Sequence, residues 1–206
     1  MERKEYRMIR TDLAGEISHG ICVSNLARRV AEKLGLSDEE CYQLAVAGLL
    51  HDVGKLEMAK QVDSQRRKNT LHVEELRYIR THPALGYMIL NEMEYPAKIA
   101  QMVLYHHENY DGSGYPANKS GEDIPLGARI LRVCDVFAAL ISDRSYRKAF
   151  DMDTAVELMI EEVKNFDMKV FLAFLEVVHA PDIQELLARQ YLDVQKIEYR
   201  DILEEE

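Results

Sequence analysis

The sequence predicts an all-helical protein, a bundle with one further helix appended at its C-terminal end. Apolar residues recur at helical spacing in long runs separated by short polar breaks. Only 10 glycines and 5 prolines interrupt the 206 residues. No alternating apolar-polar stretch is long enough to suggest a strand.

Residues 1–14 read as a charged, solvated extension without a motif. Ile17, Ile21, Leu26, Val30 and Leu34 form a helical stripe with His19 near its start, Arg28, Arg29, Glu32 and Lys33 face solvent, and Gly35 ends the helix. Ser37-Asp38-Glu39-Glu40 is a capping box that starts a second helix. Its positions Leu44, Ala45, Ala47, Gly48, Leu49 and Leu50 are apolar on most sides, which places it in the middle of the bundle. The helix delivers His51-Asp52-Val53-Gly54-Lys55 into a turn. Residues 58–69, with Arg66-Arg67-Lys68, read as an exposed loop of the length that lids have, carrying positive charge that could attract an anionic substrate.

Pro83 fits the first turn of a helix that runs to about Asn91 and sets His82 at its N-terminus. Pro96 begins another helix, with Ile99, Met102 and Val103, and His106-His107 at its far end. Pro125 starts a helix whose apolar face holds Ile130, Val133, Val136, Phe137, Leu140 and Ile141, with Asp135 in their midst. The cluster from Ser142 to Lys148, including Arg144 and Arg147, reads equally as a phosphate site or as a capping turn with Asp143 bridged to Lys148. Residues 154–166 and 168–178 are two further amphipathic helices. Beyond Pro181 the stripe Ile183, Leu187, Tyr191, Val194, Ile197 reads as a long helix that packs on the bundle or pairs with a second copy in a homodimer. The expected organisation is therefore an extension over 1–14, a helical catalytic domain over 15–180 and a C-terminal helix over 181–206.

A net charge of -10 argues against broad electrostatic binding of nucleic acid or membrane, so an anionic ligand must find local positive charge. The polar N-terminus lacks the apolar core of a signal peptide, and no apolar run approaches the ~20 residues of a membrane span. Cys22, Cys41 and Cys134 have no metal-ligand spacing and read as small buried hydrophobes in a reducing compartment. A cytoplasmic setting is expected.

The chemistry concentrates in His19, His51-Asp52, His82, His106-His107 and Asp135. Each lies among apolar residues, and a mid-helix carboxylate such as Asp135 would cost several kcal/mol if buried without a partner. Lys55 alone is a weak counter-ion for Asp52 because Gly54 puts a bend between them. A pair of metal ions would neutralise the acids. Consecutive histidines on an ideal helix point about 100° apart, so His106 and His107 can share a metal only where the helix ends, and Asp111, Gly112 and Gly114 supply that ending. Tyr115 offers a flat apolar face with a polar tip for a base or sugar.

These residues closely resemble those of the HD-GYP phosphodiesterases, a subgroup of the HD hydrolase superfamily. The likeness covers about residues 15–171. It rests on His51-Asp52-x-Gly54-Lys55, His82-Pro83 with Gly86, His106-His107-Glu108-x-x-Asp111-Gly112-x-Gly114-Tyr115-Pro116, and Asp135 followed by Asp143-Arg144-x-Tyr146-Arg147. The resemblance implies a helical HD fold and one metal held by His19, His51, Asp52 and Asp135. It implies a second held by His82, His106 and His107, with Asp52 bridging; iron comes first, manganese or zinc as alternatives. It further implies cleavage of cyclic di-GMP to the linear dinucleotide and GMP by a hydroxide shared between the metals, with Asp52 and Lys55 as catalytic residues. Lys55 would meet the scissile phosphate, Arg144 and Arg147 would hold phosphate or base edges, and Tyr115 would line the nucleotide pocket. Family members are mostly fused to receiver or sensor domains, for which this chain has no room.

Two positions depart from the pattern. Gly15 stands where members with three metals carry a glutamate, and Glu16, one residue off, is expected to point elsewhere, which predicts a two-metal site. Ala138 stands where many relatives have an acid, leaving Lys55 one partner short. Two other functions fit the same residues: a cyclic dinucleotide-binding signalling adaptor with little turnover, and a phosphohydrolase of another nucleotide.

Overall fold

The computed structural model describes the backbone of residues 2–56, 79–143 and 147–188, with side chains from residue 15 onward. Its elements are helices. In chain order they are α1 (Glu2–Lys33), α2 (Asp38–Leu50), α3 (His82–Glu92), α4 (Ala97–Tyr105), α5 (Leu126–Leu140), α6 (Met152–Glu161), α7 (Met168–Val178) and α8 (Ile183–Ala188), with single 3-10 turns at Gly121–Asp123 and Val163–Asn165.

Helix α1 crosses residue 14 without a break. Gly15, inside it, costs a helix only about 1 kcal/mol, too little to end a run of this length. After Lys33 the chain closes in a Schellman turn: Leu36 N–H donates to Ala31 O at 3.1 Å and Gly35 N–H to Glu32 O at 3.0 Å. The capping box of α2 is formed, with Ser37 N–H donating to Glu40 Oε2 at 3.0 Å and Glu40 N–H to Ser37 Oγ at 3.4 Å. The expectation that α2 is enclosed on most sides needs correcting. Cys41, Leu44, Ala47 and Gly48 make a buried stripe, whereas Tyr42 and Leu49, on the opposite face, are 62% and 47% exposed.

Helices α3, α4, α5 and α7 lie where the proline and periodicity signals set them. The single helix expected over 154–166 is instead α6 followed by a 3-10 turn. Asp151 caps α6 by accepting from Thr154 N–H at 2.9 Å, so the helix starts earlier. At its far end Asn165 is tied back to Glu162 at 2.6 Å and Asp167 caps α7, so the chain turns before 166.

The core sits where α1, α5 and α7 meet. Cys22, Val23, Leu26, Ala27 and Val30 of α1 pack with Ile130, Leu131, Val133, Cys134 and Phe137 of α5 and with Val170, Phe171 and Phe174 of α7. Phe137 meets Phe174 edge to face at 5.1 Å. Helix α8 docks on this bundle through buried Ile183 and Leu187 and through an ion pair of Asp182 with Arg29. The continuation of the C-terminal helix past Ala188, and with it the homodimer contact, lies outside the described residues. So do the basic loop at 58–69 and Arg144.

Two close approaches position the site. A Cβ on Gly20 would stand 2.7 Å from Leu49 O, and one on Gly48 would stand 2.8 Å from Ser24 Cα, so α1 and α2 cross with their backbones nearly touching. That crossing sets His19 beside His51, ring centroids 5.1 Å apart. The turn after α2 is pressed just as closely on the start of α3: a Cβ on Gly54 would lie 2.1 Å from His82 O and 2.8 Å from Gly86 N. Backbone cannot give way there as a flexible side chain would. We therefore expect Gly54→Ala to destabilise the protein by about 3 kcal/mol, measured as the shift in urea midpoint, and to weaken metal uptake, because it pushes His82 away from Asp52.

Candidate metal centre

Elements distant in sequence bring the expected ligands to one buried place. His19 comes from the middle of α1, His51 and Asp52 from the turn after α2, and His82 from the first turn of α3. His106 caps the C-terminus of α4, His107 follows it, and Asp135 projects from α5. His51, His82 and His106 are at most 1% exposed, and Asp52 and Asp135 are each 9% exposed. The helix does end at the histidine pair: Glu108 N–H donates to Tyr105 O at 3.0 Å, and the two rings come to 4.1 Å between centroids.

The imidazoles are oriented by their own backbone. Nδ1 of His51 lies 2.7 Å from Gly48 O, Nδ1 of His82 is 2.7 Å from Ile79 O, and Nδ1 of His106 is 2.6 Å from Val103 O. A carbonyl only accepts, so each Nδ1 carries the hydrogen and the neutral ring presents a lone pair at Nε2. Nε2 of His82 and Nε2 of His106 face each other at 3.3 Å. Two lone pairs at that distance repel unless a cation lies between them. The separation is close to the ~3.4 Å expected of two nitrogens on one metal at about 2.1 Å each.

The carboxylates join these donors into sets. Asp52 Oδ1 is 3.1 Å from His82 Nε2, while its Oδ2 is 3.2 Å from His51 Nε2 and 4.0 Å from His19 Nε2. Asp135 Oδ1 lies 3.0 Å from His19 Nε2 and 3.6 Å from His51 Nε2, and its Oδ2 is 4.0 Å from His107 Nδ1. Asp52, His82, His106 and His107 form one group able to hold a metal ion, His19, His51 and Asp52 a second, and His51, His106 and Asp135 a third. Asp52 thus turns one oxygen to each side. Its Oδ1 and the Nε2 of His51 are buried and have no hydrogen-bond partner, as atoms awaiting a cation would be.

Electrostatics agrees with that reading. Burial works against charge on Asp52, yet the charge of His51, the close imidazoles of His51 and His82, and the ammonium of Lys55 together hold it well below the usual carboxylate range. Asp135 is likewise held low by His19 and His51 against burial. Burial lowers His51 too, but Asp52 and Asp135 outweigh it and raise this imidazole well above its ordinary value, so a proton occupies the place of a metal and is released when one binds. Burial, aided by neighbouring histidines, depresses His106 strongly and brings His107 to about 3, leaving both rings neutral and ready to ligate.

Around this cluster the remaining candidates divide. Lys55 Nζ is 2.5 Å from Asp52 Oδ2 and 3.6 Å from Glu16 Oε2. Glu16, three residues before His19, turns to Lys55 and joins none of the donor groups, and it supplies the acid that Ala138 does not. Tyr115 stacks on His107 at 4.8 Å and 24°, and its N–H donates to His107 O at 3.1 Å. A Cβ on Gly114 would collide with the backbone of residues 107–109 at 2.2 to 2.5 Å, which is why the loop can lie this close. Arg147, expected at the substrate, is turned to the end of α5. Its guanidinium donates to the carbonyls of Ala139, Leu140 and Lys148 and covers the Phe150 ring at 4.4 Å, which ties off the end of α5.

Sequence reasoning gives no role to Glu108, 1% exposed, whose carboxylate accepts from Ala117 N–H at 2.6 Å and Lys119 N–H at 3.1 Å and so holds the Tyr115 loop shut. The signal is its place beside the histidine pair. A buried acid there has the backbone as its partner.

A family model described as an HD domain matches residues 3–170. The chain belongs to the HD domain family. The signature residues of the HD-GYP resemblance lie within the matched span. The HD domain is 43% identical over 136 residues to the Cyclic di-GMP phosphodiesterase response regulator RpfG of Xanthomonas campestris, covering 65% of this chain and 35% of that protein. It is 37% identical over 161 residues to the Cyclic di-GMP phosphodiesterase PA4108 of Pseudomonas aeruginosa, covering 78% and 38%. The chain thus spans about a third of the length of these curated relatives. Among solved structures it matches Bd1817, an HDG"Y"P protein from Bdellovibrio bacteriovorus, with a TM-score of 0.65 at 20% identity over 81% of this chain and 53% of that one, a likeness of fold. The donor set fits divalent metal: nitrogen lone pairs and ionised carboxylates converge in a dry pocket.

Acid should unfold the metal-free domain in a defined window. His106 and His107 are depressed in the fold, so below the ordinary histidine value of about 6.5 the unfolded chain takes up protons that the folded chain refuses. Stability falls as pH drops from there toward about 3, the value of His107. Asp52 and Asp135 add to the loss once pH passes below the ordinary carboxylate value, about 3.9. His51 acts with the opposite sign, its contribution fading only as pH rises through its raised value. The melting temperature of chelator-treated protein, followed from pH 7 to 4, should decline, and His107→Gln should flatten that decline.

Proposed function

We propose that the HD domain is a two-metal phosphodiesterase that hydrolyses cyclic di-GMP to the linear dinucleotide and GMP. The observation that carries this reading is the convergence of the histidines and acids into overlapping groups, two of which share Asp52, beside a tyrosine stacked on His107. The naming of RpfG and PA4108 as cyclic di-GMP phosphodiesterases supports the substrate. One metal would be held by His19, His51, Asp52 and Asp135, the other by His82, His106 and His107, with Asp52 able to serve both. Glu16 belongs to none of the donor groups and faces Lys55, which supports two ions rather than three. Iron is the first choice, with manganese and zinc compatible with the same donors.

When bound, the ions supply Lewis acidity that activates water and absorbs charge on the phosphate oxygens. The protein's own groups do the rest. Asp52 is ionised and fixes both sides of the centre at once. Lys55 is kept cationic because Asp52 and Glu16 outweigh its burial, and its ammonium stands at the rim of the cluster where a scissile phosphate would meet it. Burial pushes the Tyr115 hydroxyl to about 12, so the ring remains a neutral face for a base. The same reading sets the domain in the cytoplasm, in keeping with its free, buried Cys22, Cys41 and Cys134. Among the described residues no helix is long and apolar enough to cross a membrane.

A second substrate belongs in the same assay, since the 3'3'-cGAMP-specific phosphodiesterase 3 of Vibrio cholerae is 36% identical over 134 residues, 65% of this chain and 29% of that protein. Protein loaded with iron without oxygen should convert cyclic di-GMP to the linear dinucleotide and GMP, resolved by chromatography, faster than it converts 3'3'-cGAMP. Asp135→Asn should lower kcat by roughly 100-fold or more, because it removes a charge from the donor set. Binding without turnover would make the domain a dinucleotide-sensing adaptor, and metal analysis giving three ions per chain would reject the two-metal count.

A further inference from the structure

Most of the arginines whose side chains are described already have partners. Arg28 pairs with Glu32, Arg29 with Asp182 and Arg129 with Asp167, and Arg147 is bound to carbonyls. Arg80 and Arg132 differ. Arg132 sits one turn before Asp135 on α5 and donates from Nε to Asn109 Oδ1 at 2.9 Å, while the Arg80 guanidinium lies over the Tyr115 ring at 5.2 Å from its centroid. Among the described residues neither guanidinium meets a carboxylate within ion-pair distance.

Both charges border the same feature. Tyr115 stacks on His107, and Asn109, which holds Arg132, follows His107 by two residues. Arg132 helps disfavour the protonated form of His107, a secondary effect behind burial, and both arginines act on the Tyr115 hydroxyl. Like charges set on one side of the donor cluster, in a chain of net charge -10, are stabilised by an anion, and a planar guanidinium suits the oxygens of a phosphate.

A cyclic dinucleotide carries two phosphodiesters, and the metal cluster can engage only the one being cut. We propose that Arg80 and Arg132 form the subsite for the other phosphodiester, grouped about Tyr115, and so select substrates with two phosphates. The proposal rests on the phosphodiesterase reading above. It gives these residues the contact expected of Arg147, whose guanidinium is turned to the end of α5.

The test compares cyclic di-GMP with bis(p-nitrophenyl) phosphate, a diester with a single phosphate, on the metal-loaded full chain. Arg80→Gln and Arg132→Gln should each shift the ratio of the two kcat/KM values against cyclic di-GMP by about tenfold, chiefly through KM. The double variant should shift it further, and Arg132→Lys should recover part of it. Raising salt should narrow the gap between wild type and variants. Asn109→Ala releases the tether but keeps the charge, and should shift the ratio less than Arg132→Gln does. Equal losses on both substrates, an unchanged ratio in the double variant, or an Asn109→Ala effect as large as that of Arg132→Gln would overturn the subsite. Wild-type protein that cleaves bis(p-nitrophenyl) phosphate but not cyclic di-GMP would instead overturn the substrate reading, and the subsite with it.

Discussion

Everything in this domain depends on a group of electron pairs that face one another in a dry interior. His82 and His106 turn their Nε2 atoms together at 3.3 Å, and Asp52 and Asp135 close in with ionised oxygens. Without positive charge the cluster would be strongly repulsive, and in the metal-free protein a proton on His51 and the ammonium of Lys55 supply part of what is needed. Lys55 is shared with Glu16, a third acid, and the lone pairs of His82 and His106 still face each other, so more positive charge is called for than those two groups give. Divalent ions answer that demand.

The helices are arranged to hold these donors in place against their own repulsion. The Nδ1–H groups of His51, His82 and His106 are tied to carbonyls three residues earlier, so each ring is oriented from within its own turn. The near-contact of α1 and α2 at Gly20 and Gly48, and of the His51–Lys55 turn with α3 at Gly54, then sets the turns against one another. Glu108 does the same for the loop that carries Tyr115, by accepting two backbone N–H groups. Backbone rather than side chain thus sets the spacing of the site.

Much of this is legible in the sequence. The capping box at Ser37, the prolines at 83, 96 and 125 and the apolar periods mark helix starts because those signals act within a few residues of one another. The ligands are legible because a histidine or acid set in an apolar run must be neutralised once it is buried, and several such residues together call for a shared cation. Where sequence and structure differ, the cause is common. The alanine at 138 suggests that Lys55 is one partner short, although Glu16, three residues before His19 on the same helix, is near enough to supply it. A cationic cluster suggests that Arg147 meets substrate, although nearby carbonyls at the end of α5 are equally good acceptors.

What the chain of residues determined by itself was local: where helices begin and end, which positions are apolar, and which side chains can donate to a metal. What only the tertiary structure decided was relational. Asp52 facing two sets of donors, Lys55 meeting Glu16, Arg80 lying over Tyr115 and Arg132 reaching Asn109 all join residues from different elements. Distances of that kind are set by how closely backbones cross, and a crossing is a property of two surfaces fitted together, which no stretch of sequence carries alone.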